Sequence, residues 1–123
     1  MQNEKTNAEV ESGDVFEFGF LTNNTKVGWA YKLVPESETA KTIQGRRHRI
    51  DEKTGESLFI SGTKFRIKKD EPIDEVKFVP GYKTGDRYDV RVQADSFETA
   101  KLKACSLYAE YLKALALKIL QNC

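Results

Sequence analysis

Residues 87–121, RYDVRVQADSFETAKLKACSLYAEYLKALALKILQ, contain the change of periodicity that decides the fold. From Arg87 to Gln93 the apolar Tyr88, Val90 and Val92 alternate with Arg87, Asp89 and Arg91, the period-two pattern of a half-buried strand. The pattern then changes. Asp95 stands where a helix cap belongs, with Glu98 three residues on in capping-box spacing. Ser96 to Gln121 has neither Gly nor Pro and is rich in Ala, Leu and Lys, which favour helix. At 100° per residue, Phe97, Ala104, Tyr108, Leu115 and Ile119 fall on one stripe, flanked by Tyr111 and Leu112. Thr99, Lys103, Ser106, Glu110 and Lys113 fall opposite. A helix over 96–121 is therefore expected to lie across one face of a sheet. Leu117 and Leu120 fall at or near the polar arc, and this surplus of apolar surface predicts a homodimer with Leu117 and Leu120 in its interface.

The sheet is read backwards from that helix. Phe16, Phe18 and Phe20 alternate with Glu17 and Gly19, and after a turn at Asn23-Asn24 a second strand carries Val27, Trp29, Tyr31 and Leu33 on one face. Phe18, Trp29 and Tyr88 are expected in the core beneath the helix. Pro35 to Thr42 reads as a loop and Thr42 to Ile50 as a strand. Lys53-Thr54-Gly55 reads as a hairpin turn with Gly at the position needing positive φ. Ser57 to Ile60 and Thr63 to Lys69 read as two strands joined by a tight connection at Ser61-Gly62, with Phe65 and Ile67 inward. Pro72 breaks the sheet, Val76 to Val79 is a short strand, and Pro80-Gly81 ends it. The expected fold is α+β: a strongly curved antiparallel sheet of about six to seven strands packed on one long C-terminal helix. Residues 1–13 read as a flexible acidic tail and 14–123 as a single domain, with strands over 14–93.

Composition bounds the function. The chain has 123 residues, 39% hydrophobic and 32% charged, which suits a folded domain with a charged surface. No stretch is apolar enough to span a membrane and the N-terminus lacks a signal-like apolar run, so an intracellular, cytoplasmic protein is expected. The cysteines agree: Cys105 and Cys123 would lie roughly 27 Å apart along the helix, too far for a disulfide. Cys105 is expected in the core and Cys123 as an exposed thiol. Two thiols and one histidine do not suggest a metal centre, and no cofactor motif is present. His48 stands among Arg46, Arg47 and Arg49 with no adjacent carboxylate partner, which argues against a catalytic role.

The formal net charge is only +1, but the charge is unevenly distributed: between Lys41 and Lys69 there are nine basic and three acidic residues. Lys64, Arg66 and Lys68 alternate and so share a face. Together with Arg46, Arg47 and Arg49 they could make a basic surface of the kind that follows a phosphate backbone. Tyr82, with Lys83 beside it and Arg87 nearby, is the expected exposed aromatic for a base contact. The helix is committed to the core, so no free recognition helix is available for duplex DNA. The preferred expectation is a non-enzymatic nucleic-acid-binding protein, for single-stranded DNA or RNA. The alternatives are a protein-interaction factor (a small inhibitor, adaptor or assembly protein) meeting an acidic protein partner with the same surface, and a small-molecule binder or enzyme with a pocket between sheet and helix.

Overall fold

The computed structural model describes residues 13–22, 26–81 and 85–122. Six strands precede one helix: β1 (Asp14–Leu21), β2 (Trp29–Glu38), β3 (Thr42–Ile50), β4 (Ser57–Lys68), β5 (Glu75–Val79), β6 (Arg87–Ala94) and α1 (Phe97–Gln121). All neighbouring pairs are antiparallel, in the order β4-β3-β2-β1-β6-β5. The α+β architecture expected from the sequence is thus observed.

Period two sets the core. Phe16, Phe18 and Phe20 on β1, and Tyr88, Val90, Val92 and Ala94 on β6, are buried beneath α1, which contributes Ala100, Ala104 and Tyr108. Burying each such Phe stabilises the fold by about 1.5–3 kcal/mol. The rings interlock: Phe20 stacks on Tyr108 with centroids 4.2 Å apart, and Tyr88 meets Tyr108 at 5.3 Å and Tyr111 at 5.4 Å. Leu115 and Ile119, expected on the buried stripe, are exposed, because the helix runs past the sheet after Tyr111. Cys105, expected in the core, is exposed as well. The tail over 1–12, the Asn23-Asn24 turn and Cys123 lie outside the described residues.

The N-cap is Ser96 rather than Asp95. Its extended backbone places the hydroxyl to accept from the Thr99 amide at 3.1 Å, and Glu98 in the first turn complements the helix dipole. Ser96→Ala is expected to cost about 1 kcal/mol, read as a lowered urea midpoint with unchanged slope. No change in midpoint would show the cap to be dispensable.

Three sequence signals are used differently from expectation. β2 does not stop at Pro35 but runs to Glu38, with a register shift between Pro35 and Ser37 that accommodates the proline. Ser61-Gly62 does not separate two strands. β4 is continuous, and Ser61, Gly62 and Thr63 form a bulge opposite Arg47, between the pairs His48–Ile60 and Arg46–Lys64. Gly55 does adopt the positive φ expected of it, at 81°.

The six-residue stretch 69–74 joins β4 to β5, the two edges of the sheet. Part of it is spent on a turn in which the Glu71 amide donates to the Lys68 carbonyl at 3.1 Å. A flat six-stranded sheet would be about 24 Å across, and so short a connector could not then reach from edge to edge. The sheet therefore curls about the face opposite the helix. That face has its own apolar cluster of Leu33, Phe65 and Ile67, joined by Val15, Ile43 and by Ile73 of the connector.

Candidate nucleic-acid interface

The strand register defines what the helix-free face carries. One row crosses five strands: Arg91 of β6 pairs with Glu17 of β1, Glu17 with Tyr31 of β2, Tyr31 with Arg49 of β3, and Arg49 with Phe59 of β4. Directly paired residues share a face, so these five side chains stand side by side. The neighbouring row adds Trp29 and Asp89, both paired with Gly19. A Cβ on Gly19 would lie about 2 Å from the indole ring, so Trp29 occupies the space this glycine leaves open. Trp29 is consequently half-buried on the helix-free face and is not part of the core under the helix, contrary to expectation.

At the centre is Glu17. Its Oε1 accepts from Arg47 Nε at 2.7 Å, and its Oε2 accepts from Arg47 Nη2 at 3.3 Å and from Arg91 Nε and Nη2 at 3.3 and 3.2 Å. The side chains are 13% exposed for Glu17, 20% for Arg47 and 18% for Arg91, so this is a largely desolvated cluster. Burial works against the Arg47 charge, but the Glu17 carboxylate more than offsets it, through the hydrogen bond and then its charge, and the guanidinium pKa lies above its ordinary value. Arg47 Nη1 also donates to the Lys64 carbonyl at 2.6 Å, bridging the β4 bulge.

Arg49 differs from its neighbours. Its guanidinium lies over the Tyr31 ring at 5.6 Å, and its buried Nε has no hydrogen-bond partner among the described residues. Arg87 lies over Trp29 at 5.9 Å and shares its Nε with Asp89 at 3.1 Å. Between them opens a cleft of about 400 Å³ lined by Trp29, Tyr31, Arg47, Arg49, Arg87 and Thr63 among others. Four guanidinium groups, on Arg47, Arg49, Arg87 and Arg91, face two carboxylates, on Glu17 and Asp89. Arg91 stands behind the cleft on Glu17, so the lining itself carries three guanidinium groups and two carboxylates between aromatic walls.

The single basic surface expected from the sequence is divided. Arg47, Arg49 and Arg87 are on the helix-free face. Arg46 pairs with Lys64 and with Val34, and this row, with Arg66 and Lys68, lies on the opposite face, beyond the part covered by the helix. There Arg46 is engaged by Glu36 at 3.6 Å. Tyr82 and Lys83 lie outside the described residues. Leu117 and Leu120 are exposed on the projecting end of α1. Glu17, Trp29, Tyr31, Phe59, Asp89 and Arg91 were not singled out as site residues from the sequence.

A second hollow, of about 590 Å³, also lies on the helix-free face, over Val15, Leu33, Ile43, Phe65, Ile67 and Ile73. Neither hollow lies between sheet and helix, where the alternative small-molecule reading would place its pocket. No helix among the described residues is long and apolar enough to cross a membrane. No protein-family model matches the chain, and comparison with curated proteins and with solved structures returns no match.

Proposed function

We propose that the chain is a non-enzymatic nucleic-acid-binding protein that takes single-stranded DNA or RNA along its helix-free face. The observation that carries this reading is Arg49, whose buried Nε has no hydrogen-bond partner among the described residues and whose guanidinium is held on Tyr31, with Arg87 held on Trp29 in the same cleft. Unpaired bases stack on aromatic rings whatever their identity, and guanidinium forks suit phosphate oxygens. Duplex DNA fits less well, because the first half of α1 is packed on the sheet and the half that projects beyond it carries only two cations, Lys113 and Lys118. Arg46, Lys64, Arg66 and Lys68, on the other face, contribute to attraction at a distance and do not contact the bound segment.

Fluorescence anisotropy with labelled oligonucleotides of about a dozen bases tests the reading. Two to three phosphate contacts predict binding that weakens roughly tenfold between about 50 and 200 mM salt, accompanied by quenching of Trp29, the sole tryptophan. Absence of binding at low salt, or binding indifferent to salt, removes the proposal.

One observation favours a protein-interaction factor instead. β4 is an edge strand, and its Leu58, Phe59 and Ile60 are 54%, 57% and 60% exposed. Such an edge can accept a strand from a partner. A stoichiometric partner that survives nuclease treatment in a native pull-down and is lost in the Phe59→Lys variant would favour this reading. Recovery of nucleic acid alone would count against it.

A further inference from the structure

Two carboxylates line the cleft of Trp29, Tyr31 and Arg49, and the fold accounts for only one of them. Glu17 serves the fold: its oxygens accept from Arg47 and Arg91, and its side chain is 13% exposed. Asp89 is different. Its Oδ1 accepts from Arg87 Nε at 3.1 Å, its Oδ2 has no hydrogen bond among the described residues, and its side chain is 32% exposed. Arg87 and Arg91 flank it along β6 and Lys77 pairs with it from β5, so charge balance alone would be met by a carboxylate closed onto these neighbours. An open carboxylate repels phosphate. In a cleft for nucleotides it has a use only toward the base.

Asp89 also stands beside a stacking platform. Trp29 and Asp89 pair with Gly19 from opposite sides, and the indole lies over that glycine, toward β6. The Arg87 guanidinium lies over the indole at 5.9 Å and holds Asp89 through its Nε. Bases stack on guanidinium planes as they do on aromatic rings. A base stacked on Arg87 therefore has the Asp89 carboxylate within reach of its edge.

We propose that the cleft prefers guanine and that Asp89 reads it, a selectivity that rests on the nucleic-acid reading of the same cleft. The chemistry of the bases singles out guanine. A carboxylate accepts hydrogen bonds and donates none. On its Watson–Crick edge guanine presents adjacent donors, the ring N–H and the 2-amino group, spaced to meet both oxygens of one carboxylate. Adenine and cytosine each set an amino donor beside a ring-nitrogen acceptor. Thymine and uracil flank their one N–H with carbonyls. Each of these bases gives Asp89 a single bond at most and sets a lone pair against its other oxygen. Oδ1 can serve guanine while keeping Arg87, since a carboxylate has about four lone-pair sites. The edge that Asp89 would read is open in a single strand and closed by pairing in a duplex.

Fluorescence anisotropy at one low salt concentration tests the preference, with a thymidine dodecamer and the same strand carrying one central replacement. A single guanine should strengthen binding roughly tenfold, the worth of one bidentate base contact. Adenine or cytosine in its place should change binding by less than about threefold, which separates base reading from the stronger stacking of a purine. Hypoxanthine, which is guanine without the 2-amino group, should lose most of the gain. D89N should abolish the guanine preference and bind the plain dodecamer as well or better, because the amide turns one acceptor into a donor and removes a charge that repels phosphate. The variant keeps the shape of the side chain, and a matched urea midpoint checks its fold. If Asp89 only balanced its cationic neighbours, D89N would strengthen binding to every strand alike, and that result overturns the proposal. A plain dodecamer that binds and weakens with salt, yet gains nothing from guanine, overturns the preference and leaves the nucleic-acid reading standing. Failure of every strand to bind removes that reading and the preference with it.

Discussion

Replacing Glu17 by glutamine is expected to lower the unfolding free energy by about 3 kcal/mol. For a chain of this size that is a fall in Tm of roughly 10 °C. The reason lies in what is left behind. Glu17 is the shared acceptor of Arg47 and Arg91, and all three side chains are at most one-fifth exposed. An amide can still accept one hydrogen bond, but it cannot neutralise two guanidinium groups already removed from water. Through Arg47 the cluster ties β1 to β3 and to the β4 backbone, and through Arg91 it ties β1 to β6. Arg91→Ala should cost less, because Glu17 keeps Arg47. Arg47→Lys should cost more than a surface exchange, since one ammonium cannot reach Glu17 with two parallel bonds and also the Lys64 carbonyl. Urea unfolding followed by circular dichroism checks the order. A Glu17→Gln variant within ~0.5 kcal/mol of wild type would mean that the cluster is solvated in solution and contributes little.

That cluster also marks where sequence reading stops. Phe16, Phe18, Phe20, Tyr88, Val90 and Val92 were assignable to the core because alternation along one strand coincides with burial. The switch to helical period at Phe97 was readable for the same local reason. Trp29, expected in the same core, lies on the other face. Its alternation with Ala30 is clear, but nothing in β2 alone says which face meets the helix. The pairing of Ala30 with Phe18 decides it: the small residue lies beside the crowded phenylalanine under α1, and the large Trp29 covers Gly19 on the other side. Division of the basic residues was partly readable. Arg46 and Arg47 are consecutive, so they must point to opposite faces of a strand, and only Arg47 can share a face with Arg49. That Lys64 joins Arg46 depends on the bulge at Ser61, Gly62 and Thr63, which the Ser-Gly pair signalled only as a turn.

The division of the cations makes the strongest test of function, because two arginines of similar sequence context now carry different expectations. Arg49→Ala should weaken single-strand binding about 10- to 30-fold and reduce the slope of log affinity against log salt by about 0.7, the loss of one phosphate contact from a single strand. Trp29→Ala should weaken it roughly tenfold with little change in slope, since a lost stacking contact releases no counterions. Arg66→Ala, on the opposite face, should weaken binding by no more than about threefold, because a cation there acts only through screened attraction. Arg49 makes no ion pair among the described residues, so its removal leaves no carboxylate stranded and the fold should be unaffected. The three affinities, measured at matched salt on proteins of matched unfolding midpoint, separate contact from attraction. If Arg66→Ala costs as much as Arg49→Ala, the nucleic acid runs over the outer face of β3 and β4 and the cleft is not its site. If all three lose little, the aromatic and cationic rows serve packing alone, and the exposed edge of β4 becomes the better place to look for a partner.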